Sequence, residues 1–373
     1  DQNHDYHVAR HIIHYGETPL TGSSEGFAGT THSPVYFYFI AFLLGIQDNI
    51  LFIGYVNILL RIVVLALIYF LAATMFNKVT GLTAAFFYAI SQGTIGQSNF
   101  FWQPHFMEPF LLLSYLLLLL SYKKNNYAFL LISIIIFVFS TTLYIAAFGI
   151  LPIYLFAVVF ILRRQQRASW YILGVCATFL GVFLLGYLPP LLYTIQSNSP
   201  SIDSLSAMGG KIFSYAAPST FINNLFLRTH VLFNFFFIKL PQNSWIIFFV
   251  VGALVVLNIQ PATSYRLKKY TVLIAAALTQ FLLVIAALNI LDYKENILPS
   301  RYLTPIFGLF IIFISSSIHK SRSKNIVSRI GKISLILLFA YMLSPRLTER
   351  LQLTRQQLRI GGISKFFSVP SRD

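Results

Sequence analysis

Ten apolar runs follow one another down this chain, at about 51–76, 81–96, 105–121, 127–140, 142–162, 169–194, 243–260, 270–291, 301–319 and 332–344. Nothing constrains its fold more. In an all-apolar run the periodicity cannot separate helix from strand, but the lengths here are those of helices. The expected class is therefore all-α, a polytopic membrane helix bundle of about ten spans. Composition agrees. The chain is 57% hydrophobic and 10% charged, with too little polar surface to cover a soluble globule.

The net charge of +16 raises the question of nucleic acid. The basic residues, however, cluster in short links between apolar runs: Lys78; Lys123 and Lys124; Arg163, Arg164 and Arg167; Arg266, Lys268 and Lys269; and Lys320 to Lys332. That is how topology signals are distributed, and it puts these links on the cytoplasmic side. The acidic residues Asp1, Asp5, Glu17, Glu25, Asp48, Glu108, Asp203, Asp292 and Glu295 fall on the opposite, outer side. Carboxylate chemistry in this chain therefore belongs to the outer face. No nucleic-acid partner is expected; membrane lipids are. The single cysteine, Cys176, has no intrachain partner.

Three regions follow. Residues 1–50 form an outer loop with interfacial helices. Residues 51–344 form the bundle, with an outer loop inserted at about 195–242. Residues 345–373 form a basic amphipathic tail. The sequence starts at Asp1 rather than at Met, and a further transmembrane helix is expected before it. The apolar piece 34–46 is short for a span. It is expected to lie in the interface, with Ser33 as N-cap, Pro34 at its first position, and Tyr36 and Tyr38 as anchors.

The first forty residues carry most of the candidate chemistry. Asp1 and Asp5 are spaced i, i+4 and share a face if this stretch is helical. Such a pair could bind a divalent cation through oxygen, or one carboxylate could act as general base on a hydroxyl. The plain alternative is a solvated helix start. His4, His7, His11 and His14 make a stripe beside that face. His7 and His11 have zinc-ligand spacing, but no third ligand follows the usual signature, so polar side chains on an interfacial helix are the better reading. Gly16 fits a helix C-cap and Pro19 a stop. His32 sits where a lipid phosphate would lie.

Beyond that stretch, Trp102, Gln103, Pro104 and His105 form an outer link, with Glu108 one turn on. Trp102 is either an interfacial anchor or a platform for a sugar ring. Glu108, an ionisable group near the head of a span, is a functional candidate. Arg301 and Tyr302 open a late span; Arg301 either snorkels to headgroups or clamps a phosphate. Lys211 and Arg228 lie in the large outer loop. Arg61, well inside a span, should face the bundle interior and a partner that the sequence does not name.

Several of these residues fall into a recognisable order. Asp1 and Asp5 are followed by Ala9, Ile12, Gly16, Pro19 and Leu20, then by His32, Pro34, Tyr36 and Tyr38, then by Trp102 and Pro104, and late by Arg301, Tyr302, Leu303 and Pro305. In this the chain resembles the GT-C glycosyltransferases that use polyprenyl-phosphate-linked sugars, related to protein mannosyltransferases (glycosyltransferase family 39) and the lipid A aminoarabinose transferase. The resemblance implies a GT-C-like bundle in the plasma membrane with its active site on the outer, periplasmic side. It implies an inverting sugar transfer from a lipid-linked donor to a lipid, glycan or protein acceptor. It nominates Asp1 for the reaction centre, with Asp5 as second carboxylate. Gln2 departs from the Asp-Glu start of many relatives. His32, Tyr36, Trp102, Gln103, His105, Glu108, Lys211, Arg228, Arg301 and Tyr302 are the expected substrate-binding residues. Beyond a divalent cation on Asp1 and Asp5, no cofactor is implied. A transporter or lipid-glycan flippase is the alternative, followed by a non-catalytic scaffold. The transporter class needs charges at mid-span and paired broken helices, and Arg61 is the one plausible mid-span charge.

Overall fold

A computed structural model describes residues 2–23, 32–91, 94, 101–165, 169–196, 270, 274–278 and 304–320. All regular structure among the described residues is helical, and no strand occurs among them. The helices are α1 (Gln2–Tyr15), α2 (Val35–Ile46), α3 (Ile50–Met75), α4 (Lys78–Ile90), α5 (Gln103–Lys124), α6 (Tyr127–Leu143), a 3-10 turn (Ile145–Ile150), α7 (Leu151–Arg164), α8 (Ser169–Gln196) and α9 (Thr304–Lys320). The expected runs at 243–260 and 332–344, most of 270–291, and the tail lie outside the described residues.

Among the described residues four helices are long and apolar enough to cross a membrane: Ile50–Met75, Gln103–Lys124, Ile145–Arg164 and Trp170–Tyr193. Val35–Ile46, Lys78–Ile90, Tyr127–Leu143 and Thr304–Ser316 are apolar but shorter. The run expected at 142–162 is not one uniform helix. It breaks at extended Tyr144 and resumes as the 3-10 turn before α7.

The chain divides into two compact units. The first takes residues 1–67, 101–222 and 284–290, and the second takes 68–100, 223–283 and 291–373.

In the first unit, large apolar side chains point outward: Tyr55, Leu59 and Ile62 on α3, and Trp170, Leu173 and Leu185 on α8 are exposed. Lipid solvates such a surface, so association rests on packing and interhelical hydrogen bonds. Buried hydroxyls supply these. Ser133 Oγ on α6 donates to Ser114 O on α5 at 2.8 Å and lies 2.6 Å from the Tyr154 hydroxyl of α7. Tyr154 stacks on Phe137 with centroids 3.9 Å apart. Tyr187 of α8 donates to Thr141 O at 2.7 Å.

The two ends of this unit differ in character. At one end Arg164 sits over the Tyr122 ring at 4.1 Å, Gln165 Nε2 donates to Ser121 O, and Lys123 and Lys124 close α5 before the left-handed cap at Asn125. At the other end, α1 packs on α2, and Ser33 Oγ donates to Gly186 O at 2.7 Å.

In the second unit α4 packs against α9. The Asn77 side chain caps α4 by accepting from Thr80 N at 2.8 Å, which starts that helix three residues earlier than its apolar run. Residues 304–316 of α9 are buried throughout.

Two local expectations need correction. Helix α2 starts one residue late: Pro34 is its N-cap and Val35 its first residue, while Ser33 Oγ accepts from Val35 N at 3.4 Å. Tyr36 is not an interfacial anchor. Tyr36 is buried with Phe37, Ile40, Ala41, Leu43 and Leu44 on the inward face of α2. Tyr38 donates its hydroxyl to Pro19 O at 2.5 Å and so ties down the link after α1.

Candidate active site

Helix α1 carries the acid-bearing stretch. It ends at Tyr15, and Gly16 takes φ +69° while its N–H reaches Ile12 O at 3.2 Å. That is the left-handed cap expected from the sequence, and only glycine adopts it freely. The turn brings Glu17 to Pro19 back beside the helix. One face of α1 is buried, and it holds Asp5 and, one turn on, Ala9.

Asp5 is 3% exposed. Burial pushes its carboxyl up to about 6, against the lowering effects of His4, Tyr36 and His32. Desolvation disfavours the charged form, and the neighbouring positive and hydrogen-bonding groups only partly offset it. The Tyr36 hydroxyl is wholly buried and interacts with Asp5, yet it forms no hydrogen bond of normal geometry. Burial, with the Asp5 charge beside it, holds the phenol well above its ordinary range.

His32 is buried nearby. Its backbone pairs with the far side of the loop, Gly22 N to His32 O at 2.7 Å and His32 N to Ser23 O at 3.2 Å. Its ring lies 5.6 Å from that of Tyr144, at the break after α6.

The outer link joins this group through two contacts. Gln103 Nε2 donates to Ser23 Oγ at 2.8 Å, and Ser23 is the residue whose carbonyl takes the His32 N–H. Phe106 packs on Tyr36 with centroids 6.1 Å apart. Trp102 caps α5 with extended backbone, is half-buried, and meets His105 edge to face at 6.3 Å. Asp5, His32, Tyr36, Trp102, Gln103 and His105 thus belong to one connected structure.

Glu108 is placed differently. Its carboxylate is buried against Arg61 Nη1 at 2.7 Å. This pair answers what Arg61 faces. Asp1, Lys211, Arg228, Arg301 and Tyr302 lie outside the described residues.

The histidine stripe stays largely exposed. His7 and His11 line a cavity of about 500 Å³ with Val8, Ile12, Glu17, Thr18 and Pro19. His11 lies 3.6 Å from Glu17, and His14 lies 3.5 Å from Asp48, which also pairs with Arg10 at 3.0 Å. Among the described residues no three His, Cys, Asp or Glu side chains form a metal-holding group.

Sequence reasoning missed Tyr144 and Ser23 as neighbours of His32. Tyr144 falls inside the apolar run expected at 142–162, where the sequence shows no break. Ser23 lies in a Gly/Ser/Thr-rich link that reads as spacer. The connected group has a buried carboxyl able to hold or take a proton near neutral pH, a half-buried indole, and histidines beside the acid. That set suits proton abstraction from a hydroxyl next to a bound ring.

Residues 31–187 match the family described as dolichyl-phosphate-mannose-protein mannosyltransferase. The matched stretch holds His32, Tyr36, Trp102, Gln103, His105 and Glu108, and starts after Asp1 and Asp5. No curated protein and no solved structure is matched. The similarity, together with the apolar helices, supports a membrane glycosyltransferase of the GT-C type.

Proposed function

We propose that this protein transfers a sugar from a polyprenyl-phosphate-linked donor to an acceptor hydroxyl at the outer face of the plasma membrane. The observation that carries the reading is Asp5. It is a carboxyl buried under α1 beside Tyr36 and His32, with its pKa raised to about 6. A carboxylate of that pKa is basic enough to take a hydroxyl proton as the new bond forms, and is ionised at neutral pH.

The reaction is a single displacement. One carboxylate of the Asp1/Asp5 pair accepts the acceptor's proton. The acceptor oxygen bonds to the anomeric carbon as the bond from that carbon to the phosphate oxygen breaks. The phosphate leaves on its lipid with the electron pair, and the anomeric centre inverts. Cationic side chains stabilise the negative charge gathering on that phosphate. His32, Lys211, Arg228 and Arg301 are the residues assigned to that task. Trp102 offers a face for the sugar ring.

The test is donor class. Purified protein in liposomes is offered the same labelled sugar either on polyprenyl phosphate or on a nucleotide, with a mixture of membrane acceptors. Transfer from the lipid-linked form alone is expected. Transfer from the nucleotide form alone would overturn the proposal.

A further inference from the structure

Pro109 stands inside α5. Proline has no N–H, so the carbonyl four residues earlier loses its helical donor. That carbonyl belongs to His105. It is supplied instead from another helix: Arg61 Nη2, near the middle of α3, donates to His105 O. The other arm of the same guanidinium, Nη1, donates to Glu108 Oε2 at 2.7 Å. Both side chains are buried, Arg61 at 4% and Glu108 at 1% exposure.

One planar fork thus bridges the proline break. It holds the carbonyl that Pro109 deprives and the carboxylate just before Pro109. Arginine suits this task because its donors are fixed in a plane, whereas lysine offers one compact charge. A buried ion pair in a lipid-facing bundle is a costly way to join two helices, and apolar packing would serve as well for stability alone. What the fork adds is a defined position for the first turns of α5. Those turns carry Trp102, Gln103 on Ser23 at 2.8 Å, and Phe106 on Tyr36 at 6.1 Å.

We propose that Arg61 is a positioning residue. By bracing the broken turn of α5 through Glu108 and the His105 carbonyl, it sets where Trp102, Gln103 and Phe106 stand against Tyr36 and the acid pocket. The catalytic part of this inference rests on the transferase reading above; the brace itself does not.

The test uses the full chain with Trp170 and Trp245 changed to Phe, so that emission reports Trp102 alone. Arg61→Lys should shift the emission and the iodide quenching of Trp102. It should lower kcat for sugar transfer roughly 10–100-fold, the penalty typical of a small misplacement, and raise KM for the lipid donor, whose sugar ring Trp102 holds. Pro109→Ala restores an N–H to the His105 carbonyl. Added to Arg61→Lys, it should return both the Trp102 signal and most of the lost kcat, a rescue that a simple ion pair would not show. A Trp102 signal unchanged by Arg61→Lys, or a double variant no better than Arg61→Lys alone, would overturn the brace. Restored fluorescence without restored kcat would overturn its role in positioning the site. A wild-type protein that transfers no sugar would overturn the transferase reading instead, while the fluorescence still decides the brace.

Discussion

The Tyr36 hydroxyl is enclosed beside the Asp5 carboxyl under α1, and neither group reaches solvent freely. Because Tyr36 favours the ionised form of Asp5, removing the phenol should raise the Asp5 pKa further. In the wild type, kcat/KM for sugar transfer should fall as pH drops through about 6. In Tyr36→Phe that acid limb should move to higher pH, measured on membranes holding equal amounts of protein. An unmoved limb would detach Tyr36 from the acid.

The same pKa has a consequence for stability. The folded state raises Asp5 from 3.8 to about 6, so it binds the proton more tightly than the unfolded chain. The contribution of Asp5 to stability is therefore full below pH 3.8 and is lost as pH rises through about 6. Asp5→Asn keeps a neutral group there. Above pH 6 it should unfold a few degrees higher than the wild type, on the order of 2–4 °C, and the gap should close toward pH 4. Thermal unfolding in detergent at a series of pH values checks this.

Gly186 joins α8 to the site end of the first unit. Its carbonyl accepts from Ser33 Oγ at 2.7 Å, and a Cβ built on it would meet Thr142 Cγ2 at 2.2 Å. Gly186→Ala should therefore destabilise by about 1–3 kcal/mol, the usual cost of overpacking. Thr142→Ser removes the offending methyl, and the double variant should recover most of the loss in the same unfolding assay.

Trp102 is the part-exposed aromatic at the head of α5. If it carries the sugar ring, Trp102→Ala should raise KM for the donor about tenfold, a binding loss of about 1.4 kcal/mol, while Trp102→Phe keeps most of the affinity. Equal KM values for the two variants would leave Trp102 as an interfacial anchor.

Local signals in the sequence carried well into the structure. The Gly16 cap is where the sequence puts it, and the span expected at about 105–121 is met by α5, Gln103–Lys124, a few residues longer at the ends. What failed to carry was direction and long-range pairing. The α2 stretch is too short to span, which is why Tyr36 and Tyr38 are expected as interfacial anchors; it is also apolar nearly all round, so its sequence does not say that Tyr36 faces inward. Arg61 announced that it needs a partner, but Glu108 lies 47 residues away on another helix, and no spacing rule links them. Ser23 and Tyr144 became neighbours of His32 only through folding. The acid stretch itself was readable because charge is rare in this chain, so each carboxylate stands out.

The most direct test of the central claim is transfer of labelled sugar from a polyprenyl-phosphate donor by purified protein in liposomes, comparing the wild type with Asp1→Asn, Asp5→Asn and the double variant at equal protein. The account predicts that the double variant loses transfer by at least about 100-fold, the lower range for a general base, while it still folds and binds the donor. Wild-type transfer by the double variant would contradict it.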